Sequence, residues 1–200
     1  MKRRPNCLIV MPAFAEWDNL RELAPIMSSV LLTVQANCRW TVVTEPSEPG
    51  HEEQKAFFQE LEVSPNFVAR ERGHESFADA IRLGLRHLTA HDDFIIFLDA
   101  DQSHDPHIVP TLLAKLEANP ELDVVIASRY VKGGSTENGA VLRLMSKFLN
   151  FVYRMVFRID VKDLSTNFKC FRAELLINAE LISTNFEVVE ELLMHASIRR

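Results

Sequence analysis

The chain has 200 residues, 47% of them hydrophobic and 25% charged, the proportions of one soluble globular domain with a real core. Its 22 Lys/Arg against 28 Asp/Glu leave a net charge of −6, which argues against nucleic acid as a partner. No stretch approaches the ~20 apolar residues of a membrane span. Cys7, Cys38 and Cys170 lack disulfide-framework or metal-ligand spacing and read as inert thiols in a reduced, cytoplasmic compartment.

After a basic start, Cys7–Met11 is an apolar run, too short for a signal peptide and stopped by Pro12; it reads as a first strand. Helical spacing follows from Trp17 to about Gln35, with Leu20, Leu23, Ile26, Met27, Val30 and Leu31 on one face. Trp40–Thr44 is a second strand, closed by the turn signal Glu-Pro-Ser-Glu-Pro-Gly. Gln54–Leu61 reads as helix, Phe67–Arg70 as a short strand, and Phe77–Leu88 as a helix opened by Ser76. Phe94–Leu98 is a strand, Ile108–Ala118 a helix and Asp123–Ala127 another strand. This alternation predicts an α/β fold, a three-layer, mostly parallel sheet with right-handed crossovers. After Gly133-Gly134 the pattern changes to a helix over Val141–Phe157, then a strand over Phe168–Arg172 and a helical end over Phe186–Arg200.

The strand Phe94–Leu98 is apolar throughout, so it is covered on both faces, and its carboxyl end carries Asp99 and Asp101. In open α/β sheets that end is where ligands bind. Two carboxylates there suit Mg2+ or Mn2+ bridging a substrate diphosphate. The alternative is an acidic helix start, with Asp101 or Ser103 capping the helix that begins near Pro106. His104 and His107 have zinc-ligand spacing, but nothing in the sequence completes a site. Val141 to Arg172 holds seven Lys/Arg against two acids in an otherwise acidic chain, which suits an anionic substrate or a lipid surface as well as a solvated face.

Four blocks together resemble the family 2 glycosyltransferases, within them the dolichyl- or polyprenyl-phosphate mannosyltransferases. Ile9-Val10-Met11-Pro12-Ala13-Phe14-Ala15-Glu16 with Asn19-Leu20 is similar to I-V-x-P-x-Y-N-E-x-x-N-L. Leu98–Pro106 is similar to the D-A-D-L-S-H-x-P block, and Ser128-Arg129-Tyr130 with Gly133-Gly134 to S-R-Y followed by glycines. Asp163–Arg172 resembles D-x-T-x-x-F-K/R-x-F/Y-R.

The resemblance implies a sheet of the glycosyltransferase A type and inverting transfer of a hexose from a GDP- or UDP-sugar. A polyprenyl or dolichyl phosphate would accept the sugar, at the cytoplasmic face of a membrane. Pro12, Ala13, Phe14, Glu16, Glu45 and Asp99 would receive the nucleotide, and Asp99 and Asp101 would hold Mg2+ or Mn2+. Asp101, Arg129 and Asp163 are the catalytic candidates, while Arg143 and Lys147 would clamp phosphates.

Alternatives stay open at several of these positions. Glu16 suits a helix start, Arg129 a surface ion pair, Asp163 a turn cap, and the stripe of Arg143, Lys147, Arg154 and Arg158 a solvated face. A saccharide acceptor would need a base, for which Asp163 is the candidate, and a catalytically silent nucleotide-sugar-binding relative is the third possibility. That last option draws on Glu45-Pro46, which stands where the family has Asp-Asp-Gly; Ala15 is a separate departure, replacing an Asn. Residues 1–200 read as a single catalytic domain. The resemblance implies more chain beyond Arg200, so this is either a shortened piece or a member without its closing elements.

Overall fold

The computed structural model describes residues 3–45, 51–128 and 163–198. Its strands are β1 (Asn6–Pro12), β2 (Asn37–Thr44), β3 (Asn66–Ala69), β4 (Phe94–Phe97), β5 (Val124–Ile126) and β6 (Lys169–Arg172). Its helices are α1 (Trp17–Thr33), α2 (His51–Gln59), α3 (Phe77–Leu85), α4 (Val109–Ala118) and α5 (Val188–Ile198). The expected helix over Val141–Phe157, with Arg143 and Lys147, lies outside the described residues, as does Arg129.

The strands lie in the order β3-β2-β1-β4-β6-β5. β1 pairs in parallel with β2 and β4, and β2 with β3, whereas β6 runs antiparallel to both β4 and β5. The α/β class and the mostly parallel sheet are therefore as expected. The strand expected over Phe168–Arg172 enters the sheet reversed, between β4 and β5. β2 begins at Asn37, ahead of the expected Trp40, because Asn37, Cys38 and Arg39 stand in register with Asn6, Cys7 and Leu8. Pro12 ends β1 without costing a ladder bond, since β4 has already left its neighbour after the Val10–Phe97 pair.

Side-chain alternation builds a core on each face of the sheet. Cys7, Ile9 and Met11 of β1 and Phe94 and Ile96 of β4 pack on one side with Leu20, Leu23, Met27, Leu112 and Leu116 of α1 and α4. Leu8 and Val10 of β1 and Ile95 and Phe97 of β4 pack on the other with Ala80 and Ile81 of α3 and Val188 and Leu192 of α5. All four β4 residues are buried, as a strand covered on both faces requires. On α1 one expectation fails: Ile26 is 40% exposed, while Ala24 and Ser28 are buried. At 3.6 residues per turn Ile26 falls on the rim of the apolar stripe.

The start of α3 is a capping box. Ser76 Oγ accepts from Asp79 N at 3.1 Å, and the Asp79 carboxylate accepts from Ser76 N at 3.1 Å. Farther along the helix, Gly84 rests on Val10, and a methyl group placed there would land inside the Val10 side chain. Val10 is β-branched and fully buried, so it has little freedom to yield. Overpacking costs about 1–3 kcal/mol against about 1 kcal/mol of helix propensity gained from Gly to Ala. Gly84→Ala is therefore expected to lower the melting temperature, and a double-mutant cycle with Val10→Ala should show favourable coupling. A Gly84→Ala protein that melts at or above wild type would refute this contact.

Candidate active site

The middle of the sheet is a topological switch point, with β2 and β3 on one side of β1 and β4 on the other. A cleft of about 450 Å3 opens at the carboxyl ends of these strands. Pro12, Ala13, Phe14 and Glu16 line it from the turn after β1, and Asp99 and Asp101 from the turn after β4. Six residues singled out from the sequence thus share one cavity.

The β1 turn is pinned on both sides. Ala13 N donates to Val43 O at 2.9 Å, prolonging the ladder with β2. Ala15 then adopts φ +53°, a left-handed conformation uncommon for a residue with a Cβ, and its N–H donates to Glu45 Oε2 at 3.0 Å. Glu45 therefore sits beside this turn, at the end of β2. Glu16 precedes α1 and accepts from the Asn19 side-chain amide. Phe14 is 64% exposed at the rim, its ring 6.0 Å from the Arg70 guanidinium carbon.

The turn after β4 is closed by its own side chains. Asp99 N donates to His104 Nδ1 at 3.0 Å, and Asp101 Oδ1 accepts from Ser103 N at 3.0 Å. Gln102, at φ +63°, reaches α1 through Asn19 Oδ1 at 3.1 Å and Glu22 Oε2 at 2.9 Å. Asp105, rather than Asp101 or Ser103, caps the following 3-10 turn, accepting from His107 N at 3.0 Å. His107 Nδ1 lies 2.8 Å from Asp105 Oδ1, and both ring nitrogens of His104 are engaged within the protein, so the two histidines form no zinc site. Burial pushes the Asp99 carboxyl above its usual range, and the neighbouring Asp101 adds to this. His104 and then Asn167 oppose the shift, Asn167 through its Nδ2, which donates to Asp99 Oδ1 at 2.9 Å.

Arg70, just beyond β3, has no motif that marks it, yet its guanidinium ties the loops together. Nε donates to Thr44 O at 3.1 Å, and one terminal nitrogen donates to Glu75 O at 2.6 Å and Ser76 O at 3.2 Å. The other lies 3.5 Å from Ala13 O. Glu75, Ser76 and Phe77 line the cleft beside it, as do Asn185 and Phe186 ahead of α5. Phe77 and Phe186 stack with ring centroids 4.6 Å apart. Such residues are invisible to periodicity, because the cleft gathers them from separate loops.

Asp163 is fully buried, and the Ser165 hydroxyl donates to its Oδ1 at 3.5 Å. Lys169 is buried as well; its ammonium donates to Leu164 O at 2.9 Å and to Thr166 O. This cation braces the turn that carries Asn167 to Asp99.

Mg2+ and Mn2+ take oxygen ligands and are often held by one or two carboxylates plus phosphate oxygens. Asp99 and Asp101 each keep Oδ2 without a hydrogen bond among the described residues, and no third His, Cys, Asp or Glu joins them there. The donor set fits an ion shared with a diphosphate and lacks the ligands of a closed zinc cage.

Residues 8–178 match Glycosyl transferase family 2. The chain is 30% identical over 190 residues to a dolichol-phosphate mannosyltransferase of Pyrococcus furiosus, covering 93% of this chain and 51% of the relative. It is 32% identical over 139 residues to a dolichol-phosphate mannosyltransferase of Mycosarcoma maydis, covering 66% and 45%. The chain spans about half the length of the curated relatives it matches. Among solved structures, the glucosyl-3-phosphoglycerate synthase of Mycobacterium tuberculosis in complex with Mg2+ and uridine diphosphate aligns with a TM-score of 0.70 at 18% identity, over 98% of this chain and 66% of that one. The fold is of the glycosyltransferase A type, and the chain belongs to glycosyl transferase family 2.

The raised Asp99 carboxyl has a consequence for stability. Its folded value lies above the unfolded one, so ionising Asp99 works against the fold as pH rises from about 4. Asp99→Asn is expected to melt higher than wild type at pH 7, with the difference shrinking as pH falls toward the ordinary carboxylate range. Thermal denaturation across that range checks it; a gain that persists unchanged under acid conditions would contradict the assignment.

Proposed function

Taking membership of glycosyl transferase family 2 as the premise, we propose that the chain transfers a hexosyl group from a GDP- or UDP-sugar to a polyprenyl or dolichyl phosphate, with inversion at the anomeric carbon. The observation that carries the donor side is the meeting of Asp99 and Asp101 with the Pro12–Glu16 turn in one cleft at the switch point. Support for the acceptor comes from the curated relatives, both dolichol-phosphate mannosyltransferases.

In this proposal Asp99 and Asp101 hold Mg2+ or Mn2+, which when bound offsets the negative charge gathering on the leaving diphosphate. The Pro12–Glu16 turn and Glu45 receive the nucleoside, with Phe14 flanking it. Arg129, Arg143 and Lys147 are assigned to phosphate oxygens on the strength of their charge and their place in the sequence. The Val141–Phe157 cations would also hold the protein peripherally at the cytoplasmic face of a membrane.

A phosphate-monoester acceptor is largely ionised near neutral pH, because its second pKa is about 6. It attacks the anomeric carbon without surrendering a proton to the protein. The complete burial of Asp163 agrees with this, since a base for a saccharide hydroxyl has to reach that hydroxyl. Asp163 is therefore assigned a positioning role in the turn that leads to Asn167.

Calorimetric titration of GDP and UDP, with and without Mn2+, tests the donor side. Mn2+ is expected to tighten binding about tenfold or more, and Asp101→Asn to abolish that dependence with little change of shape. An Asp101→Asn protein that keeps the wild-type Mn2+ dependence would remove the metal assignment. Glu45→Asp withdraws the carboxylate by one methylene and is expected to change the ratio of GDP to UDP affinity. Equal ratios in the two proteins would take Glu45 away from the base.

A further inference from the structure

The turn that carries Asp99 and Asp101 makes its own closing contact. The last ladder bond between β4 and β1 is from Leu98 N to Val10 O at 3.2 Å, and the next donor, Asp99 N–H, meets an imidazole. It donates to His104 Nδ1 at 3.0 Å. A nitrogen that accepts from a main-chain N–H carries no hydrogen of its own, so the proton of the neutral ring is on Nε2. Nε2 lies 3.4 Å from Thr166 Oγ1, which takes the remaining donor. The ring packs on Phe168, centroids 5.1 Å apart, and its side chain is only 10% exposed. Thr166 and Phe168 flank Asn167, whose amide reaches the Asp99 carboxylate. Asp99 is thus held twice from the 163–168 turn, once at its carboxylate through Asn167 and once at its main chain through His104.

We propose that His104 is a positioning residue for Asp99: as the neutral Nε2–H tautomer it holds the Asp99 main-chain N–H and so fixes the carboxylate aimed at the cation. The inference rests on the metal role proposed for Asp99 and deepens it. The 3.9 Å between His104 Nδ1 and Asp99 Oδ2 is then proximity and not an ion pair, because that nitrogen has no proton to share. Partners that orient a metal ligand typically matter about 10- to 100-fold in metal affinity.

Three substitutions separate positioning from packing. His104→Asn places Oδ1 where Nδ1 was and keeps the acceptor for Asp99 N–H. His104→Gln approximates the Nε2 end and loses that acceptor, and His104→Ala loses both. The Mn2+ concentration that half-saturates GDP or UDP binding is expected to stay near wild type in His104→Asn. It should rise about tenfold or more in His104→Gln. His104→Ala should match His104→Gln wherever it remains folded by thermal melt.

A second readout needs no nucleotide. Nitrogen-15 NMR of the wild type should show His104 as the Nε2–H tautomer, with a scalar coupling across the hydrogen bond between the Asp99 amide nitrogen and His104 Nδ1. A protonated Nδ1, or no coupling, overturns the proposal. Variants that all keep the wild-type Mn2+ requirement overturn the positioning role even with the coupling present. A wild type whose GDP and UDP binding ignores Mn2+ overturns the metal reading of the cleft, and the role of His104 with it. The two failures are told apart by whether wild type responds to Mn2+.

Discussion

The cleft depends on one buried cation. Arg70 is 5% exposed, and a guanidinium removed from water has to find acceptors for its fork of N–H donors. It finds them in the main-chain carbonyls of Ala13, Thr44, Glu75 and Ser76, which belong to the ends of β1 and β2 and to the start of α3. Burial works against the Arg70 charge, and the Glu45 carboxylate opposes that effect. Glu45 in turn accepts from the Ala15 N–H, so its charge balances Arg70 while its oxygen pins the β1 turn. These loops come together because their carbonyls jointly take up one guanidinium's donors. A Lys at this position would bring one point charge and no fork to span them.

The same loops hold the chain in conformations it would not choose unaided. Ala15 and Gln102 both have positive φ, and each sits in a turn next to the cleft. A left-handed residue with a Cβ costs of order 1–2 kcal/mol, and here Glu45, Asn19 and Glu22 supply the hydrogen bonds that offset it. Asn tolerates this region better than Ala, so the departure at position 15 from the family's Asn has a backbone cost as well as a lost side chain. Strain placed beside a ligand crevice is a sign that the surroundings over-determine the loop shape.

Much of this architecture could be read from the amino-acid order, for a physical reason. β1 and β4 are buried on both faces, so their apolar runs identify themselves, and the carboxylates that follow β4 fall at the ligand end of the sheet by topology alone. Ser76 opened α3 as its chemistry implies. What stayed hidden depends on long-range partners. Nothing local tells Lys169–Arg172 to run antiparallel between β4 and β5, because that choice is made by the pairing of Phe94 with Arg172 and of Val124 with Phe171. Arg70 looked like the end of a strand, and His104 like one letter of the Leu98–Pro106 block; their roles follow from carbonyls and a main-chain N–H that converge only in three dimensions. Asp163 carried a motif, but no motif reports burial.

The late entry of β6 also shapes how the polypeptide reaches this state. On a ribosome β4 and β5 emerge well before Lys169–Arg172, and among the described strands β5 has β6 as its sole neighbour. Until β6 arrives, the outer edge of Phe94–Phe97 offers an apolar row of unpaired main-chain groups, the kind of edge on which a second nascent chain can add itself. Joining strands so far apart in sequence costs chain entropy before any contact rewards it. The sheet therefore completes only once Lys169–Arg172 has been synthesised, and until then the Phe94–Phe97 edge is open to edge-to-edge association.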